Sequence, residues 1–188
     1  MKIVIESEKD WFGSRATGVM LDEKNRVLLC QLERDDLWVL PGGGIRLHET
    51  LQETVERELF EEANFEITVQ RLLWVIENFF IFHAKKHHIL EFYFLVTPRE
   101  PTGIWEQHEF EGQEDFLDAD NFWHLPEGRT TLHFKWFDLT KLNEINFKPT
   151  ILIELLKDLP THPTHVVWDT YGRTIETKTP LHPTQRKP

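Results

Sequence analysis

Glu58, Glu61 and Glu62 fall at i, i+3 and i+4 of a segment whose apolar residues Leu51, Val55 and Leu59 recur at every fourth position. On a helix that spacing sets the three carboxylates side by side on one face. Like charges so grouped cost roughly 0.2–0.5 kcal/mol per pair in water, a cost offset only where a cation joins them. Carboxylate oxygens are hard ligands and suit Mg²⁺ or Mn²⁺. Mg²⁺ takes one or two protein carboxylates and shares the rest of its shell with water and substrate phosphates. Arg57 adjoins this face, and Glu49 stands at the junction of loop and helix. Upstream, Pro41 is followed by Gly42, Gly43 and Gly44, whose backbone has no Cβ to hold a metal or phosphate away. The plain alternative is a solvated acidic helix face beside an ordinary glycine turn, which is what most isolated ExxEE runs are.

The spacing of the whole stretch Leu40–Glu66, LPGGGIRLHETLQETVERELFEEANFE, favours the chemical reading. It resembles the Nudix box, G-x5-E-x7-R-E-U-x-E-E-x-G-U with U apolar. Gly43, Glu49, Arg57, Glu58, Leu59, Glu61, Glu62 and Phe65 occupy its positions in order, and Asn64 replaces the second glycine. The resemblance implies hydrolysis of a nucleoside diphosphate linked to a further moiety, by water attack at phosphorus. It implies Glu58, Glu61, Glu62 and the Gly42 carbonyl as ligands of Mg²⁺ or Mn²⁺, with Arg57 a partner that orients Glu49. A glutamate outside the box completes the site in several relatives of this kind, and Glu106, Glu109, Glu111 and Glu114 are the first candidates, followed by Glu91 and Glu77. Two other readings stay open: a catalytically silent nucleotide sensor of the same fold, which has no need of the acidic constellation, and a related isomerase acting on a prenyl diphosphate. Trp38, Gly43, Phe79 and Tyr93 are the candidate substrate contacts, with Phe80 and Trp123 as further aromatic faces on which a base could stack.

The rest of the chain bounds these readings. Its 188 residues suffice for one domain with a real core, taken as 1–173. The net charge of −11 argues against a nucleic-acid backbone as partner and leaves a small molecule as the expected one. No apolar run approaches the ~18 residues of a membrane span. The charged N-terminus lacks the apolar stretch of a signal peptide. Cys30 is the only cysteine, which fits a reducing cytoplasm. A homodimer is compatible with all of this.

The elements that must position the box read as follows. Residues 2–5 form a short edge strand. Arg15–Leu21 and Arg26–Leu32 form a β-hairpin across a turn at Asp22–Asn25. Trp38–Leu40 delivers the chain into a glycine loop. Thr50 and Glu53 form a capping box that starts the helix at about Leu51, and Asn64 takes the left-handed position after it. Glu66–Trp74 and Val75–Phe82 are β-rich. His83, His87 and His88 belong to a solvated turn rather than a zinc site, and Ile89–Val96 is a strand. An acidic insertion at about 99–127 carries nine carboxylates from Glu100 to Glu127 and reads as a long functional loop. Thr131–Phe137 is a strand. Pro149 opens an amphipathic helix that buries Ile151, Leu152, Leu155, Leu156 and Leu159. His165–Tyr171 is a last strand, before an extended tail at 174–188. The resemblance gathers these elements into an α+β fold, an α/β/α sandwich with a mixed sheet.

Overall fold

The computed structural model describes residues 3–32, 36–99, 107–116 and 128–171. The expected tail at 174–188, Trp123, Glu106, the side chain of Glu114 and most of the acidic insertion lie outside them.

Among the described residues, ten strands form two sheets. The larger runs β1 (Val4–Glu6), β2 (Asp10–Met20), β7 (Lys85–Pro98), β6 (Ile67–Phe82) and β10 (Thr164–Asp169), with β5 (Gly42–Gly44) also paired to β2. It is mixed: β2 runs parallel to β7 and β10 parallel to β6, while β6 and β7 are antiparallel. The smaller sheet is β4 (Trp38–Val39), β3 (Arg26–Leu32), β9 (Gly128–Asp138) and β8 (Glu109–Phe116). Helix α1 (Leu51–Ala63) packs with Ala16, Met20, Phe94 and Val96 of one sheet and Leu28, Phe134 and Trp136 of the other. A 3₁₀ turn (Leu139–Glu144) and the short helix α2 (Leu152–Leu155) cover a second core around Trp74, Leu73 and Phe147. Helical layers on either side of mixed strands give the α/β/α sandwich.

Several expectations need correction. The Arg15–Leu21 and Arg26–Leu32 segments are strands but not a hairpin. They meet only at a Leu21–Val27 bridge beyond the turn and then diverge into different sheets, because β3 takes β9 as its neighbour from Arg26 to Leu32. The glycine run is a strand rather than a loop. A Cβ on Gly42 would lie 2.4 Å from the Ala16 carbonyl oxygen, so only glycine lets β5 lie this close to β2. Residues 67–82 form one strand of 16 residues. The following turn is only His83–Ala84, both at positive φ, as a two-residue hairpin turn requires. His87 is therefore in β7, fully buried, with its ring stacked on Trp11 at 5.3 Å and Phe80 at 5.1 Å. The acidic insertion contains β8, in which Phe110 turns inward while Glu109 and Glu111 are exposed. The helix expected after Pro149 contains only four α-helical residues, since Ile153 and Glu154 bond back three residues rather than four. Leu152 and Leu156 are nonetheless buried.

Helix α1 begins and ends as its sequence dictates. Thr50 Oγ1 accepts from the Glu53 amide at 3.2 Å, and Glu53 Oε2 accepts from the Thr50 amide at 2.8 Å. Asn64 sits at φ 55°, ψ 37° and its amide closes the last turn onto Phe60. A β-branched side chain is strained there, so Asn64→Val should lower stability by about 1–2 kcal/mol in denaturant unfolding. Asn64→Gly should change it little.

Candidate active site

The acidic face of α1 lies against the glycine strand. Glu58 and Glu62 are 4% and 5% exposed, a rare condition for carboxylates. A Cβ on Gly43 would fall 2.3 Å from Glu58 Oε2, so glycine there makes the recess that the carboxylate fills. Arg57 organises the cluster. Its Nε donates to Glu49 Oε1 at 2.7 Å, its Nη1 to Glu58 Oε1 at 2.6 Å and Glu61 Oε2 at 3.0 Å, and its Nη2 to the Gly44 carbonyl at 3.2 Å. The bonds that Glu49 itself accepts, from Arg57 first and then from Thr54 Oγ1 and the Arg46 amide, hold its carboxyl down at about 2. Arg46 adds a forked pair to Glu61 at 3.2 and 3.3 Å.

Arg57→Ala should lower stability by about 2 kcal/mol, a value reduced from that of fully buried pairs because Glu61 is open to solvent. A depressed carboxyl contributes stability that is complete above its unfolded value of about 4.5 and is lost as pH falls towards 2. The gap between wild type and Arg57→Ala, measured by urea unfolding in EDTA, should therefore narrow across that range.

The residues present fit a divalent cation. Four carboxylates (Glu49, Glu58, Glu61, Glu62) gather on this face, with Arg46 and Arg57 paired to the first three and the Arg15 charge acting on Glu62, so the carboxylates outnumber the guanidinium groups. All the donors are hard oxygens. Among the described residues no three His, Cys, Asp or Glu side chains already converge on a metal-sized point. The reason is local: Glu49, Glu58 and Glu61 are drawn around the Arg57 guanidinium. Mg²⁺ needs only one or two of them.

Beside the box opens a cavity of about 530 Å³. Leu37, Val39, Phe80, Phe82, Pro149 and Trp168 give it apolar walls, and Arg15, Thr17, Asn78, Glu91 and Tyr93 line it as polar groups. Arg15 connects the two regions. Its Nη2 donates to the Gly42 carbonyl at 2.7 Å and the Leu40 carbonyl at 3.3 Å, and its charge interacts with both Glu91 and Glu62. Glu91 is 4% exposed, and its Oε2 accepts from Tyr93 Oη at 2.9 Å and Asn78 Nδ2 at 3.2 Å. Burial pushes its carboxyl up, against the opposing pull of Arg15, Tyr93 and Asn78.

Of the sequence candidates, the structure brings together Gly42, Gly43, Glu49, Arg57, Glu58, Glu61 and Glu62, and places Tyr93 in the adjoining cavity. Trp38 instead packs edge-on to Phe137 at 4.7 Å. Phe79 lies on the other face of β6, stacked on His88 at 4.1 Å. Glu77 faces the same way, bonded to His165 at 2.8 Å. Glu109 and Glu111 pair with Lys135 and His133 on the exposed side of β8, away from α1. Arg15, Thr17 and Asn78 were not singled out from the sequence. A single cation two residues before a threonine, at the start of the apolar half of β2, was the available signal for the first two.

A family model for the NUDIX domain matches residues 11–157. The chain is 29% identical over 102 residues to Diphosphoinositol polyphosphate phosphohydrolase 2 of Rattus norvegicus, a match covering 53% of this chain and 54% of that protein. It is 36% identical over 61 residues to a MutT-like protein of Streptomyces ambofaciens, covering 32% and 40%. It is 28% identical over 135 residues to an RNA pyrophosphohydrolase of Hydrogenovibrio crunogenus, covering 71% and 78%. The chain thus spans about half the length of the first of these relatives and less of the second. Among solved structures, a UDP-X diphosphatase superposes with a TM-score of 0.54 at 15% identity, over 86% of this chain and 68% of that one, a likeness of fold. No helix among the described residues is long and apolar enough to cross a membrane.

Proposed function

The chain belongs to the NUDIX family, and from that premise we propose that it is a divalent-metal-dependent pyrophosphohydrolase, cleaving a nucleoside diphosphate linked to a further moiety by water attack at phosphorus. The observation that carries this reading is the pair of buried carboxylates, Glu58 and Glu62, held against the glycine strand with Arg57 and Glu61 beside them. A silent binding module has no use for so costly an arrangement. Mg²⁺ or Mn²⁺ would be held by Glu58, Glu61, Glu62 and the Gly42 carbonyl, and when bound would supply the charge that stabilises phosphoryl oxygens and acidifies water.

The chain's own residues divide the remaining work. Arg57 positions Glu58 and Glu61 and ties them, through Glu49, to the start of α1. Glu91 is the proton acceptor in this reading. It lines the cavity, and its raised proton affinity suits a group that must take a proton near neutral pH. Tyr93 and Asn78 fix its orientation. The apolar walls take the organic part of the substrate and exclude water from it. The lone, buried Cys30 suits a reducing cytoplasm as the site of action.

The test is a panel of nucleoside triphosphates, dinucleotides and nucleotide sugars incubated with the full chain and Mg²⁺ or Mn²⁺, read by ³¹P NMR. Cleavage of at least one class, abolished by EDTA and placing ¹⁸O from labelled water on phosphorus, is expected. Cleavage that persists in EDTA, or none across the panel, contradicts the proposal.

A further inference from the structure

Two buried polar atoms, Arg15 Nε and Thr17 Oγ1, belong to residues of the cavity wall and lack a hydrogen-bond partner among the described residues. Thr17 as a whole is 1% exposed. An unsatisfied buried donor costs about 1–3 kcal/mol, so two of them side by side are a burden that the folded chain alone does not explain. Both belong to β2, two residues apart, and alternation along the strand turns them to the same side. Both line the cavity. The register of the sheet sets Arg15 opposite Glu91 on one flank and Gly44 on the other, and Thr17 opposite Tyr93 and Gly42. The two donors therefore stand at the boundary between the apolar cavity and the acidic cluster.

We infer that Arg15 and Thr17 form a phosphoryl-binding subsite, in which Arg15 Nε and the Thr17 hydroxyl donate to oxygens of a substrate phosphate. The identification of that phosphate as part of a substrate rests on the function proposed above. Three features select an anion. Both groups can donate, and one carries a fixed positive charge. The guanidinium is held in place by the Gly42 and Leu40 carbonyls through Nη2, which leaves Nε for a ligand. Glu91, the carboxylate in register with Arg15 on β7, already has one oxygen engaged by Tyr93 and Asn78. The glycine strand adds no side chain to obstruct a phosphate reaching from the cavity towards the box. A substrate bound this way has its organic part among Phe80, Phe82 and Trp168 and its anhydride beside the acidic face of α1.

The probe is inorganic pyrophosphate, titrated into the full chain in EDTA and followed by ³¹P NMR, so that neither turnover nor metal enters the measurement. Wild type should bind it. Arg15→Gln should weaken binding at least ~10-fold, and Arg15→Lys, which keeps the charge but not the fork, should fall between. Thr17→Val decides the matter if Arg15→Gln does not fold. Val has the same shape without the unsatisfied hydroxyl, so this variant should unfold at a higher temperature than wild type and yet bind pyrophosphate several-fold more weakly. Wild type that does not bind pyrophosphate, or Thr17→Val that binds it as wild type does, overturns the subsite. So does an equal loss of affinity for neutral adenosine in Arg15→Gln, since the site would then not be reading an anion. Pyrophosphate binding that depends on Arg15 and Thr17, in a chain that cleaves nothing in the nucleotide panel, would leave the subsite standing and remove the proposed hydrolysis.

Discussion

Glu62→Gln is expected to lower kcat by at least ~10²-fold while the protein stays folded. The carboxamide has the volume of the carboxylate and can occupy the same buried place, where Glu62 is 5% exposed. What it loses is the charge that would hold a cation. Stability should not fall with it. Glu62 sits in the last turn of α1, which carries no basic residue, and a negative charge there opposes the helix dipole. A thermal midpoint equal to or above that of wild type, together with the loss of turnover, separates a metal-holding role from a structural one. Folded Glu62→Gln protein with near-normal kcat would remove Glu62 from the assigned set.

Glu91→Gln should also lower kcat by about 10²-fold, the lower end of what a positioned general base contributes, with KM changed much less. Its pH profile distinguishes this loss from that at Glu62. A base works only when deprotonated, and burial raises the Glu91 carboxyl above its ordinary value. Wild-type kcat should therefore decline as pH falls through that raised value, and the acid limb should be missing in Glu91→Gln. Tyr93→Phe removes one of the two donors to Glu91 Oε2 and should move the acid limb upward in pH, since that bond favours the charged form. An acid limb unchanged in Glu91→Gln would transfer the role of base to another group.

The box and its helix were legible because their signals are local. Thr50 and Glu53 fix one end of α1, Asn64 fixes the other, and the intervening carboxylates share a face by spacing alone. The parts that were not legible depend on partners distant in sequence. Arg15–Leu21 and Arg26–Leu32 look like a hairpin whichever sheet each enters, and β3 is committed by β9, a hundred residues later. The glycine run became a strand because β2 offers a backbone close enough to pair only where no Cβ intervenes. His87 was read as solvated from its neighbours Lys85, Lys86 and His88, while its burial comes from Trp11 and Phe80 on adjoining strands. In β8 the alternation of Phe110 and Gly112 with Glu109 and Glu111 was present but obscured by the surrounding acidic residues. Glu91 was one of six candidate carboxylates, and Arg15 was not a candidate. Their pairing is a cross-strand neighbourhood between β2 and β7 that no local pattern encodes.

The most direct measurement is of the cation itself. Mn²⁺ titrated into wild type, Glu62→Gln and the Glu58→Gln/Glu62→Gln double variant, with free Mn²⁺ followed by electron paramagnetic resonance, reports binding without substrate or turnover. Wild type is predicted to bind, Glu62→Gln to bind at least ~10-fold more weakly, and the folded double variant not to bind at this site. Mn²⁺ bound equally by wild type and the folded double variant would contradict the assignment of the buried carboxylates to a metal site.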